Sequence, residues 1–394
     1  MTIKIYHQVG HNNNWNTDSF LNDKCGDGLI LSPVHQPKSK IEDMDLALRQ
    51  KSIFDPQYYL PNSQKKKLAT YPFFPEVISK GFKTLDFHMD AHASAEMCID
   101  FQVEQDFEKI IIPVRYIDQM KTNYFEQQEE YSLKPFLKVI KAKAIKKPVF
   151  ATLALTSHMI EDVGFRTKVL NWITSFPEIT GVYILVTLER DTKQIQSEEF
   201  LKSYLDFLMT LKEVDLEIIV GHSNTESLLY SLIDGITLSF GTFENTRIFS
   251  IDKFVESEED RRGPKARIYL PKLLNWIQYN QAKDIQKTNP TLWADIYTPT
   301  TYADIALAAL VEPTFNQPQL YKHHFMCIHQ QVQELKSVDV LGRCEILLEW
   351  VKVARLNYSK INAIGIQIES HGSSEHLSAW QNTIIYFYNK YLKT

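Results

Sequence analysis

The chain has 394 residues, of which 44% are hydrophobic and 23% are charged, a composition typical of a folded globular protein. Its formal net charge of −5 gives no overall attraction to nucleic acid or to an anionic membrane surface. The four cysteines lie far apart and form no Cys-x-x-Cys pair, which argues against a disulfide framework and a thiolate zinc site. No apolar run approaches the length of a membrane span, and residues 1–8 lack the apolar core of a signal peptide, so we predict a cytoplasmic protein.

Short apolar runs that each end in a polar or charged residue recur between residues 28 and 241. Their hydrophobicity is continuous rather than alternating, which indicates strands buried on both faces, as in a parallel sheet. Helix-like stretches separate them, so the repeated unit is a strand followed by a helix. The runs cover residues 28–33, 109–115, 148–153, 182–189, 216–222 and 236–241.

Two further strand candidates, residues 52–56 and 266–270, raise the count to eight. Eight strand–helix units favour an α/β fold of the (β/α)8 TIM-type barrel class over an open sheet. The long stretch between residues 56 and 109 predicts an insertion after strand 2 that covers the strand ends. After about residue 280 only helical spacing remains, so we predict a barrel over residues 1–279, with an N-terminal polar segment, and a helical C-terminal cap over 280–394.

In such barrels the ligand site lies at the carboxyl ends of the strands, so polar residues that follow the predicted strands are the candidates. Asp55, Glu189 and Glu244 are predicted as nucleophile or general acid and base. The arginines among the remaining candidates suit a phosphate or a carboxylate. The predicted binding residues are His35, Gln57, Arg115, Arg190, Gly221, His222, Asn224, Asn245 and Arg247. In a second interpretation, some of these groups pair with one another and only close the barrel rim.

A metal site is the alternative suggested by His88, Asp90 and His92, whose side chains would point the same way on an extended segment. Ser94, however, has the character of a helix N-cap, which would leave the histidines in the preceding loop. The spacing matches no diagnostic motif, and we assign no metal ligand. A metal-dependent hydrolase that also uses His222 stays open as an alternative.

Residues 220–238 and 245–247 resemble one stretch of the tRNA-guanine transglycosylases, in which a glycine-containing strand end and a short helix precede an acidic strand end and a Thr-Arg pair. The resemblance implies that Gly221 and Arg247 contact a base and a phosphate. The nucleophilic aspartate of that family would fall near Ser239 or Phe240, and its cysteine-rich zinc motif has no counterpart here. The resemblance therefore implies a member whose catalytic acid lies elsewhere, at Asp55, Glu189 or Glu244.

Together these features predict a barrel that binds a polar nucleoside- or phosphate-bearing ligand at its mouth and performs hydrolysis or exchange at a glycosidic-type bond. The sequence identifies no cofactor and predicts no membrane partner, and the net charge does not favour nucleic acid. A different hypothesis is a catalytically degenerate barrel that serves as a subunit of a multiprotein complex. Its partner would bind the helical C-terminal region, which carries Tyr386, Tyr388 and Tyr391.

Overall fold

Eight parallel strands form a nearly closed (β/α)8 barrel in the computed structural model, which describes residues 3–11, 13–78, 87–190, 192–255 and 263–393. The order of the strands around the barrel is β3-β2-β1-β8-β7-β6-β5-β4. At the seam, the amide of Glu108, just before β4, donates to the carbonyl of Ser52 in β3 at 2.9 Å. The strands are β1 Lys4–Gln8, β2 Gly28–Leu31, β3 Ser52–Phe54, β4 Ile110–Ile112, β5 Val149–Thr156, β6 Gly181–Thr187, β7 Glu217–Val220 and β8 Thr237–Gly241.

Helices follow the strands and cover the outside of the barrel. In the first two-thirds of the chain they are α1 Asn13–Leu21, α2 Lys38–Glu42, α3 Leu46–Arg49, α4 Pro75–Ile78, α5 Phe87–Glu104, α6 Tyr124–Gln128, α7 Lys134–Ala142, α8 Ser157–Glu161, α9 Val163–Ile173, α10 Glu198–Glu213, α11 Ser227–Tyr230 and α12 Glu244–Arg247. The others are α13 Tyr279–Thr288, α14 Pro290–Ile296, α15 Thr301–Ala308, α16 Pro318–Lys336, α17 Val340–Ala363 and α18 His376–Phe387. Among the described residues, no helix is both long and apolar enough to cross a membrane.

Local sequence explains where these elements form. In β5 every residue except the last is buried, as the continuous apolar run predicts for a strand covered on both faces. Helix α10 begins after Ser197, whose hydroxyl accepts a hydrogen bond from the amide of Phe200 at 3.1 Å and so caps the helix. Apolar residues on one face of α10 are buried against the barrel.

The predicted number of barrel strands is confirmed, but two assignments are wrong. Residues 4–8, where we predicted no strand, form β1, which pairs with β2 and β8. The apolar pattern did not predict this strand because it contains polar residues that are buried with hydrogen-bond partners. The His7 ring, for example, lies 2.8 Å from the carbonyl oxygen of Cys25. Residues 266–270, predicted as the eighth strand, instead form β9 (Arg267–Leu270), which pairs antiparallel with β10 (Asn275–Gln278) outside the barrel. The short link between β9 and β10 cannot hold a crossover, so only a hairpin fits.

The C-terminal region is helical, as predicted, and packs directly on the barrel. Phe325 of α16 contacts His7 of β1 edge-on, with ring centroids 4.7 Å apart. The neighbouring His324 contacts Phe240 of β8 at 6.3 Å. Helix α16 thus occupies the place of a barrel helix after β8, and one continuous hydrophobic core extends through the barrel and the C-terminal helices.

The insertion after β3 contributes aromatic side chains to this core. Tyr71 and Phe73 are buried and contact Phe54 and Phe101. The helix predicted to begin after Ser94 begins at Phe87, so Asp90 and His92 lie within α5 rather than in a preceding loop. Ser94 is not a cap: its buried hydroxyl donates to the carbonyl of Phe73 at 2.7 Å. The histidine motif is therefore part of a helix that the insertion packs against.

The packing of α16 predicts that the barrel and the C-terminal helices unfold together. Replacing the buried Phe325 by alanine should lower the free energy of unfolding by about 3–5 kcal/mol, because it removes a large ring from the junction. Urea denaturation followed by circular dichroism measures this loss. Leu356→Ala, at an exposed position of α17, is the control and should change stability by less than about 0.5 kcal/mol. Two separate transitions, or an equally small effect of Phe325→Ala, would contradict the shared core.

Candidate active site at the carboxyl ends of the strands

Asp55 follows β3 directly and lies fully buried at the carboxyl end of the barrel. Its Oδ1 accepts hydrogen bonds from the hydroxyl of Tyr59 at 2.8 Å and from the amide of Gln57 at 3.0 Å. Its Oδ2 is buried and has no hydrogen-bond partner among the described residues. Burial raises the pKa of the Asp55 carboxyl to about 6, although the Tyr59 hydrogen bond and the charge of Lys253 limit the rise. Asp55 is therefore able to hold a proton near neutral pH.

Lys253, which the sequence pattern did not single out, interacts electrostatically with this carboxyl. It belongs to a 3-10 turn, Ile251–Phe254, that follows α12. Its Nζ lies 3.0 Å from Nε2 of His222 and about equally far, 5.4 and 5.3 Å, from the ring centroids of Phe249 and Phe254. Burial lowers the pKa of the Lys253 amine to about 7, and the charge of Asp55 opposes that change. Both groups can therefore exchange protons near neutral pH, where the ionised carboxyl and the protonated amine are the major forms.

His222 follows β7 and connects Lys253 to the barrel interior. Its backbone has a φ of 50°, in the left-handed region that non-glycine residues rarely adopt. Burial, reinforced by the charges of Lys253 and His35, holds the pKa of the imidazole well below its ordinary value. The neutral ring has one unprotonated nitrogen, which can accept a hydrogen bond from Lys253. The ring is also hydrogen-bonded to the backbone of Asn245.

The barrel interior beneath these groups is polar. Gln8, at the end of β1, places its Oε1 3.4 Å from both the hydroxyl of Tyr183 and the amide of His222. Burial, together with the charge of the nearby Asp55, raises the pKa of the Tyr183 hydroxyl well above its ordinary value. A Cβ at Gly221 would lie only 2.5 Å from Cε2 of Tyr183, so this glycine leaves the space that the tyrosine ring occupies. The structure thus gives Gly221 a packing role at the site.

Two further predicted binding residues join this group. His35, after β2, is buried, and its Nε2 has no hydrogen-bond partner among the described residues. Burial and the charge of Lys253 lower the pKa of His35 to about 3, so it is neutral. Gln57 is fully buried in the left-handed region, with a φ of 59°, and its Oε1 accepts a hydrogen bond from the amide of Val34 at 3.0 Å. Its side chain therefore ties the turn after β3 to the turn after β2.

The other two predicted catalytic carboxylates do not join Asp55. Glu189 is exposed and makes no hydrogen bond or ion pair with any residue that the structure describes. The Glu244 carboxylate is 48% exposed and forms an ion pair with Lys193 at 2.5 Å. Asp55 is the one member of the predicted trio that lies at the centre of the barrel mouth.

Three predicted binding residues lie on the rim. The Arg190 guanidinium pairs with the buried Glu226 at 3.1 Å, and the amide of Asn224 approaches the same carboxylate oxygen at 3.3 Å. These contacts, made to a residue outside the predicted set, join the loops after β6 and β7. Arg115 lies over the ring of Tyr131, 5.0 Å from its centroid. Asn245 and Arg247 belong to α12 and face a separate pocket, described below.

The residues suggested as metal ligands are not gathered at one point. Across the part of the chain that the structure describes, no group of three or more His, Cys, Asp or Glu side chains is arranged to hold a metal ion. His92 is exposed on α5, whereas His222 is buried at the barrel mouth. The side chain of His88 lies outside the described residues.

Comparison with protein-family models, with curated proteins and with solved structures found no match for this chain. The resemblance to the tRNA-guanine transglycosylases therefore stays a prediction. Because barrels of this class host many unrelated reactions, the fold does not select one of them. The side chains at the strand ends are the basis for a functional proposal.

The raised pKa of Asp55 has a measurable effect on stability. Because the carboxyl binds its proton more tightly in the folded state, its contribution to folding is complete below about pH 4 and is lost as the pH rises through about 6. Asp55→Asn removes this dependence and keeps an oxygen that can accept from Tyr59. We expect the free energy of unfolding of the variant, relative to the native chain, to increase between pH 4.5 and pH 7.5 in urea titrations. Glu189→Gln controls for the loss of one carboxylate. If the difference in free energy of unfolding between Asp55→Asn and the native chain does not change with pH, the pKa of Asp55 is not raised.

Proposed function

We propose that this chain is an enzyme that transfers protons to and from a small polar ligand at the carboxyl end of the barrel. The observation that carries the proposal is the buried Asp55, whose Oδ2 is unpaired and whose charge interacts with that of Lys253, the neighbour of His222. A buried carboxyl with an unpaired oxygen is unfavourable for folding, and such groups are concentrated at functional sites. This arrangement is therefore better explained by a role in catalysis than by a contribution to stability.

The reaction that this group suits is hydrolysis or exchange at a glycosidic-type bond of a nucleoside- or phosphate-bearing ligand. Protonated Lys253 would donate its proton to the leaving group as the bond to the sugar carbon breaks. Ionised Asp55 would accept the proton of the attacking water, or of the incoming base in an exchange reaction. Since Glu189 and Glu244 lie away from the centre, the second proton-transfer group in this proposal is the amine rather than another carboxylate.

The alternative of a non-catalytic subunit receives less support from the surface that suggested it. The hydroxyl groups of Tyr386 and Tyr391 both donate to Asp206 of α10, each at 2.8 Å. Two of the three tyrosines thus make contacts within the chain, and Tyr388 is 36% exposed. Binding of a protein partner to the C-terminal helices stays a prediction.

Substitutions at the barrel mouth test the proposed enzyme. The full-length protein would be incubated with a panel of nucleosides, nucleotides and glycosides, and the released base or sugar would be measured by mass spectrometry. We expect Asp55→Asn and Lys253→Met each to reduce turnover by at least about a hundredfold, because each removes a proton-transfer group.

Glu189→Gln is the matched control, since it neutralises an exposed carboxylate on the rim. It should keep turnover within about threefold of the native chain, while thermal melts verify that all three variants fold. Turnover that survives Asp55→Asn, or that disappears in Glu189→Gln, would contradict the assignment of Asp55. No released product from any member of the panel would favour the non-catalytic alternative.

A further inference from the structure

A second pocket of about 670 Å³ lies beside the barrel mouth, a volume typical of small-molecule sites. Helix α12 forms one side of it, and the β9–β10 hairpin forms another. The pocket is next to the candidate active site, because Asn245 lines it and the backbone of the same residue holds the His222 ring. Its central cation is Arg247.

Arg247 is 9% exposed, yet its Nε and Nη1 have no hydrogen-bond partner among the described residues. The guanidinium carbon lies over the Trp276 ring, 4.2 Å from its centroid. A buried guanidinium without a counter-ion is costly, and burial lowers the pKa of Arg247 to about 10. An anion in the pocket would supply the missing partner.

The groups behind Arg247 also lack partners. Nε1 of Trp276 and both ring nitrogens of His324 are buried without a hydrogen-bond partner among the described residues. The His324 and Trp276 rings are 4.5 Å apart. Trp276 lines the pocket and His324 does not, so the indole N–H is a second unpaired donor next to Arg247, and no ion pair joins Arg247 to a carboxylate among the described residues.

The charges around the pocket leave a positive surplus. Lys193 pairs with Glu244 at 2.5 Å, and Arg267 pairs with Glu369 at 2.5 Å. Each of the two lining carboxylates thus has its own cation. Lys265, whose Nζ lies 3.5 Å from the side-chain oxygen of Gln278, adds to the charge of Arg247.

Aromatic rings form an apolar wall of the same pocket. Phe243, Phe315 and Tyr321 line it, and the Phe243 ring lies 5.2 Å from Tyr321 and 6.3 Å from Phe315. Trp15 stacks on Tyr321 at 5.5 Å and fixes its ring. Such a wall favours a planar ligand, because flat rings pack well against aromatic side chains.

We infer that this pocket binds a small organic anion, whose phosphate or carboxylate pairs with Arg247 while its planar ring packs against Phe243, Phe315 and Tyr321. Charge-assisted, bidentate hydrogen bonds make a guanidinium well suited to either anionic group. The inference rests on the proposed function only in identifying the anion as part of the ligand that reacts at Asp55. Binding itself can be measured without turnover.

Isothermal titration calorimetry of the full-length protein tests the pocket with four probes. AMP has both a ring and a phosphate, adenosine lacks the phosphate, ribose 5-phosphate lacks the base, and benzoate carries a carboxylate on a ring. We expect AMP or benzoate to bind; if the anion is a phosphate, AMP binds at least tenfold more tightly than adenosine and ribose 5-phosphate. Comparison of the affinities for AMP and benzoate shows whether Arg247 pairs with a phosphate or with a carboxylate.

Arg247→Met keeps a long side chain against Trp276 but removes the charge, and it should weaken binding of the better anion at least tenfold. Arg355→Met, an exposed arginine on α17, is the matched control and should bind like the native chain. If Arg247→Met does not fold, Lys265→Met at the exposed rim replaces it and should weaken binding of the anion by a smaller factor. Equal affinity for AMP and adenosine together with no binding of benzoate, or an Arg247→Met variant that folds and binds normally, would overturn the inference.

Asp55→Asn separates this inference from the proposed enzyme. The variant should bind AMP or benzoate with the affinity of the native chain while losing turnover. Anion binding through Arg247 without any Asp55-dependent turnover would refute the proposed reaction alone. Turnover that depends on Asp55 without anion binding would refute only the proposal that the pocket binds an anion.

Discussion

The pairing of β1 with β2 on one side and with β8 on the other is the contact on which the rest of the structure depends. It joins the strands encoded early in the chain, β2 and β3, to those encoded late, β7 and β8. Asp55 after β3 and His222 after β7 lie at the same end of the barrel for this reason, and both interact with Lys253. Gln8, at the end of β1, lies between the two arms and approaches the amide of His222 at 3.4 Å.

The barrel mouth combines features that are unfavourable for stability. Asp55 and Lys253 are ionisable groups whose pKa values burial moves toward neutrality from opposite sides. Gln57 and His222, which flank them, both have left-handed backbones. Strained backbone and desolvated ionisable groups persist where the surrounding structure holds them, and they are concentrated at sites of binding and catalysis. The coincidence of both features at one end of the barrel supports a chemical role there.

The two residues that the transglycosylase resemblance singled out have different environments. Gly221 accommodates the Tyr183 ring, so the barrel interior accounts for this glycine. Arg247 is buried over Trp276 with unpaired nitrogens, and no contact within the described chain neutralises it. The proposed anion would therefore lie beside the barrel axis, and α12 would separate it from the proton-transfer groups. A ligand that spans this helix would place its anionic end at Arg247 and its reacting bond near Asp55.

The sequence by itself determined the parallel barrel, because continuous apolar runs such as residues 148–153 indicate burial on both faces, whatever their partners. It also identified Asp55, His35 and His222, since polar residues directly after buried strands meet at one end of a barrel. Only the tertiary structure showed that Lys253 belongs with them, because Lys253 follows α12 rather than a strand and so was not a strand-end candidate. The tertiary structure likewise placed Glu189 and Glu244 on the rim and made a strand of residues 4–8, whose buried polar side chains conceal its apolar character. Exposure, pairing and pKa depend on contacts between residues far apart in the chain, which local residue patterns do not record.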